Sequence, residues 1–182
     1  MLPELYRLDH HDAAAAALLL DELSDVYADA YGVGPGEKVD AFRGRAVRAM
    51  EASRFELVTA RSDAGLIGFV FGYSLPVDSA WWGGIEPPRD EQFVAETGSR
   101  TAALSEIEVR RALQRQGIGR RLQEEFLSRR TEERATLATG VDMPSRFVYP
   151  RWGWSEVGVV PGAPGAYFSA YRRFTLPLPR PE

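Results

Sequence analysis

The clearest chemistry in this sequence lies in six residues that lead from a strand-like stretch into a helix-like one: Gln114, Arg115, Gln116, Gly117, Ile118 and Gly119. Gly117 and Gly119 have no side chains, so an anion can approach the main chain closely. The free N–H groups and dipole of the helix start that follows favour negative charge. That arrangement suits a pyrophosphate, with Arg115, Arg120 and Arg121 adding positive charge beside it. It is not a dinucleotide fingerprint, because Leu122 stands where the third glycine belongs, and no Lys-Ser/Thr pair ends it as in a Walker loop. A glycine pair before a helix also occurs as a plain strand-to-helix turn, so the reading rests on what surrounds it.

Glu106 and Glu108 stand two residues apart in an alternating stretch, which places both on one face of a strand. Each can serve as a general base or remain a solvated strand residue. The two histidines, His10 and His11, are adjacent, so their side chains diverge and cannot form a paired helical metal motif. They read as solvated residues before a helix, which leaves no role for histidine chemistry. The absence of cysteine removes thiolate nucleophiles and zinc–thiolate sites, and no metal site is expected. A net charge of −4 argues against a nucleic-acid binder. The arginines from Arg110 to Arg134 alternate with Glu124, Glu125, Glu132 and Glu133, as on a solvated surface. Steeply salt-dependent nucleic-acid binding would reverse that reading.

These groups need a scaffold, and 182 residues, 45 % apolar and 26 % charged, suit one soluble domain. The apolar run Ala13 to Leu20 follows acids and histidines instead of a basic segment and is too short to span a bilayer, so a cytoplasmic protein is expected, without membrane association. A first strand is predicted over Glu4 to Leu8, then a helix from the Asp9–Asp12 region through about Tyr27. Gly32 to Gly36 forms a turn, and Glu37 to Glu51 a second helix. Phe55 to Ala60 and Leu66 to Tyr73 form a hairpin. A long excursion over residues 76–101 carries Trp81 and Trp82. Leu104 to Val109 is a strand, Arg120 to Glu132 a helix, Ala135 to Thr139 a strand and Pro144 to Trp152 helical. Trp154 to Val160 and Tyr167 to Leu176 close the sheet. The order implies an α/β (α+β) fold in which helices flank a mixed, mostly antiparallel sheet: a single domain over residues 1–176 with a flexible tail over 177–182.

Glu106, Ile107, Glu108 and Val109 followed by Gln114 to Gly119 resemble the Q/R-x-x-G-x-G/A motif of the GNAT N-acetyltransferase superfamily, which follows a strand ending E-L-x-V. The family often places proline two residues after the valine, where this chain has Arg111. A second stretch, Asp142 to Trp154, is similar to the family's N-x-x-A-x-x-L-Y-x-x-x-G-F. Tyr149, Gly153 and Trp154 match, while Asp142 and Ser145 replace the asparagine and alanine. The resemblance covers roughly residues 4–175.

It implies direct transfer of an acetyl group from acetyl-CoA, or of another acyl group from its acyl-CoA, to a primary amine of a small molecule or peptide. Cofactor contacts would come from Ile107 and Val109 and from Gln114, Arg115, Gln116, Gly117, Ile118, Gly119, Arg120 and Arg121. Deprotonating an alkyl amine of pKa about 10.4 at neutral pH corresponds to about 4.6 kcal/mol. Glu106 is the first choice for the proton acceptor and Glu108 the second, with Tyr149 as proton donor to the leaving thiolate. Tyr73, Trp81 and Trp82 would line an acceptor pocket through cation–π contact, or form a structural aromatic cluster. A non-catalytic CoA-binding module is the alternative from another class. Homodimers are common in the family.

Overall fold

The computed structural model describes residues 6–179. β1 (Arg7–His11), β2 (Glu56–Ser62), β3 (Gly65–Ser74), β4 (Thr101–Val109), β5 (Arg134–Gly140), β6 (Ser155–Pro161) and β7 (Ala170–Pro177) form a sheet in the order β1-β2-β3-β4-β5-β7-β6. The pairs β1–β2, β2–β3, β5–β7 and β6–β7 are antiparallel. The helices are α1 (Ala13–Leu18), α2 (Leu20–Tyr31), α3 (Glu37–Met50), α4 (Glu91–Val94) and α5 (Ile118–Ser128). This is the mixed, mostly antiparallel sheet flanked by helices that the element order implied. No helix among the described residues is long and apolar enough to cross a membrane. The chain divides into two compact units, one running up to Tyr73 and including Leu104–Arg130, the other comprising Ser74–Ala103 and the chain from Thr131 onward.

The first unit is built on the inner faces of α2 and α3. Leu23, Val26, Phe42 and Ala46 are wholly buried against Leu57, Phe69 and Phe71. Tyr27 stacks on Phe42 with ring centroids 4.4 Å apart, which fixes α2 against α3. Gly68 of β3 serves close packing. A Cβ there would lie 2.9 Å from the Glu108 carbonyl oxygen, 3.2 Å from Leu122 and 3.3 Å from Val109.

In the second unit Glu96 Oε1 accepts from Trp82 Nε1 (2.9 Å), Thr101 Oγ1 (2.8 Å) and Arg134 (3.1 Å). The Arg134 guanidinium lies 4.9 Å from the Trp82 ring centroid and 4.6 Å from that of Phe93. The chain stays packed past residue 176: Leu178 is buried and its N–H donates to the Glu133 carbonyl (3.0 Å).

Several boundaries differ from the sequence reading. Glu4 lies outside the described residues, and the first strand runs on through His11, because its ladder with β2 continues to the pair His11–Leu57. The single helix expected up to Tyr27 is two helices broken at Leu19, the second ending at Tyr31 under a left-handed Gly32. The segment Pro144 to Trp152 is two short 3-10 turns, since Pro150 has no N–H to continue a helix.

Gly68→Ala should lower stability by about 1–3 kcal/mol, because the added methyl meets main chain that has to move. Urea unfolding of both proteins measures this, and an unchanged midpoint would remove the packing argument.

Candidate functional site

The end of β4 is anchored on three sides. Arg110 donates its main-chain N–H to the Ile67 carbonyl (2.9 Å) and its Nε to the Leu66 carbonyl (2.7 Å). The Arg111 N–H donates to Asp29 Oδ2 in the last turn of α2 (2.8 Å). Gln114 Nε2 donates back to the Val109 carbonyl (3.0 Å), and Gln116 Nε2 to the Ala112 carbonyl (3.4 Å). The two glutamines therefore fold the loop onto itself instead of reaching outward.

The chain then reverses through left-handed conformations at Arg115 (φ 63°) and Gly117 (φ 85°). Gly117 is the N-cap of α5. No side chain caps this helix, and its first turn contains no acid. α1 and α4, by contrast, are capped by Asp12 and Asp90. The first bond along α5 runs from Arg121 N–H to the Gly117 carbonyl (3.1 Å), so the amides of Ile118, Gly119 and Arg120 have no acceptor within the helix. A Cβ at Gly117 would meet nothing within 4 Å, leaving open space beside those donors. The donors and the space fit a phosphate group. Of the nearby cations, Arg120 pairs along the helix with Glu124 (2.8 Å) and Arg121 lies 5.8 Å from the Tyr6 ring centroid.

On β4 itself, alternation sends Glu106 and Glu108 to one face, where α2 and α3 receive them. Arg45 of α3 donates from Nε to Glu106 Oε1 (2.8 Å), and the Glu106 side chain is only 12 % exposed. The Arg45 guanidinium carbon also lies 5.9 Å from the Tyr27 ring centroid. Tyr31, one turn further along α2, packs its ring 4.7 Å from that of Tyr27, centroid to centroid. Burial raises the Glu106 carboxyl above the usual glutamate range, and Arg45 offsets part of that. Glu108 is raised well above the range by burial and by the charge of Glu106, against which Tyr31 and Arg45 act more weakly. The two carboxylates thus differ: Glu106 is ion-paired with Arg45, and Glu108 is the more strongly raised of the two.

The remaining residues singled out in the sequence have other surroundings. Tyr149, in the 3-10 turn Tyr149–Trp152, is buried against Trp152, Trp154 and Phe174 at centroid separations of 5.9, 6.5 and 5.7 Å. Trp81 donates to Thr136 Oγ1 (3.0 Å) and lies beneath Arg173 (4.2 Å), while Trp82 is buried on Glu96 and Arg134. These contacts are those of a structural aromatic cluster. Tyr73 packs at the edge of the first unit's core. His10 and His11 are not solvated. His10 Nδ1 lies 2.5 Å from Glu56 Oε1 and its Nε2 2.7 Å from Glu125 Oε1, while His11 Nε2 lies 2.9 Å from Thr59 Oγ1. Their place in a paired strand, which the sequence reading missed, accounts for both. Arg45, Tyr31 and Asp29 were missed as well. Tyr27 and Tyr31, four apart on one helix, were a usable signal; Arg45 stands among Arg43 and Arg48 with nothing to distinguish it.

The raised carboxyls carry a consequence for stability. Below the ordinary glutamate value of 4.5, Glu108 is protonated in both folded and unfolded chains. As pH rises, the unfolded chain releases its proton first, so this residue's contribution to stability is lost as pH approaches and passes its raised folded value. Glu108→Gln should therefore melt higher than the wild type at about pH 8, with the difference closing at about pH 4. Calorimetry across that range measures it, and a constant offset at both ends would contradict the assignment.

No family model and no curated protein matches this sequence. Solved structures do. An aminoglycoside 6'-acetyltransferase type Ii aligns with 20 % identity and a TM-score of 0.64, over 96 % of this chain and 99 % of that one. An aminoglycoside 6'-N-acetyltransferase complexed with coenzyme A aligns with 17 % identity and a TM-score of 0.63, over 97 % and 99 %. A GNAT-family acetyltransferase from Bacillus cereus aligns with 16 % identity and a TM-score of 0.62, over 96 % and 99 %. Uncapped amides beside an open loop, at the end of the strand that bears two partly buried carboxylates, stand within a chain that has the fold of the GNAT acetyltransferases.

Proposed function

We propose that this protein is an N-acetyltransferase that passes an acetyl group from acetyl-CoA directly to a primary amine of a small molecule or peptide. The observation that carries this reading is the uncapped start of α5, with free amides facing open space beside Gly117. A structure of the same fold, complexed with coenzyme A, supports it. The amides of Gln116 to Arg120 hold the pyrophosphate, and the main chain at Ile107 and Val109 lies along the pantetheine arm. Acetyl-CoA supplies an electrophilic thioester carbonyl.

The amine nitrogen forms the new C–N bond as the C–S bond breaks. Its proton passes to a carboxylate, and the departing thiolate is protonated to free coenzyme A. Of the two candidates the geometry favours Glu108 over Glu106, because Arg45 occupies Glu106 and stabilises it as an anion. A carboxyl raised toward neutrality is a better match for a base working near pH 7. The aromatic pocket of Trp81 and Trp82 forms no part of this proposal, since both indoles have structural partners.

Any side chain at Gly117 takes on a left-handed backbone, so the test compares two residues that tolerate it equally. Gly117→Asn and Gly117→Asp differ in charge alone. In calorimetric titration with acetyl-CoA the wild type should bind at micromolar concentration. The asparagine variant should stay within a few-fold of it, and the aspartate variant should bind at least about tenfold more weakly than the asparagine one. Equal affinities in the two variants would remove the pyrophosphate assignment. Absence of binding to the wild type would remove the function, and binding without turnover of any amine would leave a CoA-binding module.

A further inference from the structure

Apart from the candidate site, a second titratable cluster joins three elements of the first unit. His10 of β1 lies between two carboxylates. Its Nδ1 is 2.5 Å from Glu56 Oε1 of β2, and its Nε2 is 2.7 Å from Glu125 Oε1 of α5. Alternation turns His11 to the other face of β1, where it meets Thr59. Arg130, just past α5, lies 4.0 Å from Glu56 Oε2 and donates to the Arg54 carbonyl (2.8 Å). Asp12, Arg54 and Arg129 border the same open cavity of about 480 Å³ as His10 and Glu56, so solvent protons can reach the cluster. α1, which also packs on β1, carries no titratable side chain.

A neutral imidazole has one N–H and one lone pair, so it can donate to only one of these carboxylates. Both bonds form only while the three groups together hold two protons. Imidazole is a stronger base than a carboxylate, so in that state the ring carries both. Removing one proton to solvent sets a ring lone pair against a carboxylate oxygen, and the two repel. The acid that yields is Glu125. Its side chain is 36 % exposed, whereas that of Glu56 is 18 % exposed and keeps Arg130 beside it.

We propose that His10 is a pH-dependent tie between the sheet and α5: doubly protonated, it straps β1 to both β2 and α5, and loss of one proton releases Glu125 to solvent. Above the ordinary carboxylate range, the strap to α5 is therefore present on the acid side and lost as pH rises. It acts on the helix whose first turn offers the free amides, but it does not rest on the acetyltransferase reading and is tested without cofactor.

The experiment follows the full-length protein, labelled with nitrogen-15 histidine, from about pH 5 to about pH 9. Ring nitrogen shifts report how many protons His10 carries, with the two histidines told apart by His11→Asn. Amide hydrogen exchange, corrected for its intrinsic pH dependence, is read in α5 and, as a control, in α3. The expected result is that His10 passes from two ring protons to one. Over the same interval α5 should lose roughly tenfold in protection relative to α3. Glu125→Gln should abolish that loss, because its amide N–H donates to the bare ring nitrogen while the other ring N–H still donates to Glu56. A proton lost from His10 without loosening of α5 overturns the proposal. So does a ring that keeps one protonation state throughout, or an α5 that loosens equally in Glu125→Gln.

Discussion

Glu106 and Glu108 are two carboxylates on one face of a single strand, in a place where water reaches neither fully. Taking one such group out of water is costly, and placing a second beside it adds repulsion that low polarity does little to screen. α3 answers for one of them with a cation, Arg45, which pairs with Glu106. Glu108 has no such cation to itself and is raised well above the usual glutamate range by burial and by the charge of Glu106.

That pairing constrains the rest of the first unit. Arg45 sits on α3, so its reach to Glu106 depends on how α3 packs against α2, which the Tyr27–Phe42 stack fixes. The opposite face of the same strand must be apolar, because its residues point the other way. Val109 there closes over Gly68 together with Leu122 of α5, where a methyl group has no room. The strand that presents the carboxylates therefore meets α5 at Gly68, and the small residue there permits that close approach.

Much of this was legible in the sequence. Strand alternation placed Glu106 and Glu108 on one face, and Gly117 before an apolar-periodic stretch located the start of α5 to within two residues. These signals are local: periodicity and the conformational freedom of glycine. What was not legible came from tertiary pairing. Nothing near Arg45 in the chain indicates that it will reach Glu106, 61 residues away. His10 looked solvated because its neighbours are polar, yet its two carboxylate partners come from β2 and α5. The break at Leu19 falls in a run of good helix formers with no glycine or proline to mark it. It turns α2 so that Leu23, Val26 and Tyr27 face the core. Trp81 and Trp82, adjacent aromatics in a long excursion, fitted pocket walls and a structural cluster alike. Their indole N–H groups are satisfied by Thr136 and Glu96, which no local pattern could show.

Arg111 is the point where the sequence departs from the pattern it otherwise resembles, and the structure gives that departure a physical content. A proline there would fix φ and so stiffen the turn after β4, but it would have no N–H to donate. Arg111 keeps its N–H and gives it to Asp29, while its guanidinium fills the space that a side chain on Gly32 would need at the end of α2. Covalent stiffness is thus replaced by a hydrogen bond to a second element. The consequence is a linkage that proline would not make: the loop that leads to the α5 amides and the helix turn that carries Tyr31 share one anchor. The loop is thereby held to the last turn of α2 through one main-chain N–H and one carboxylate.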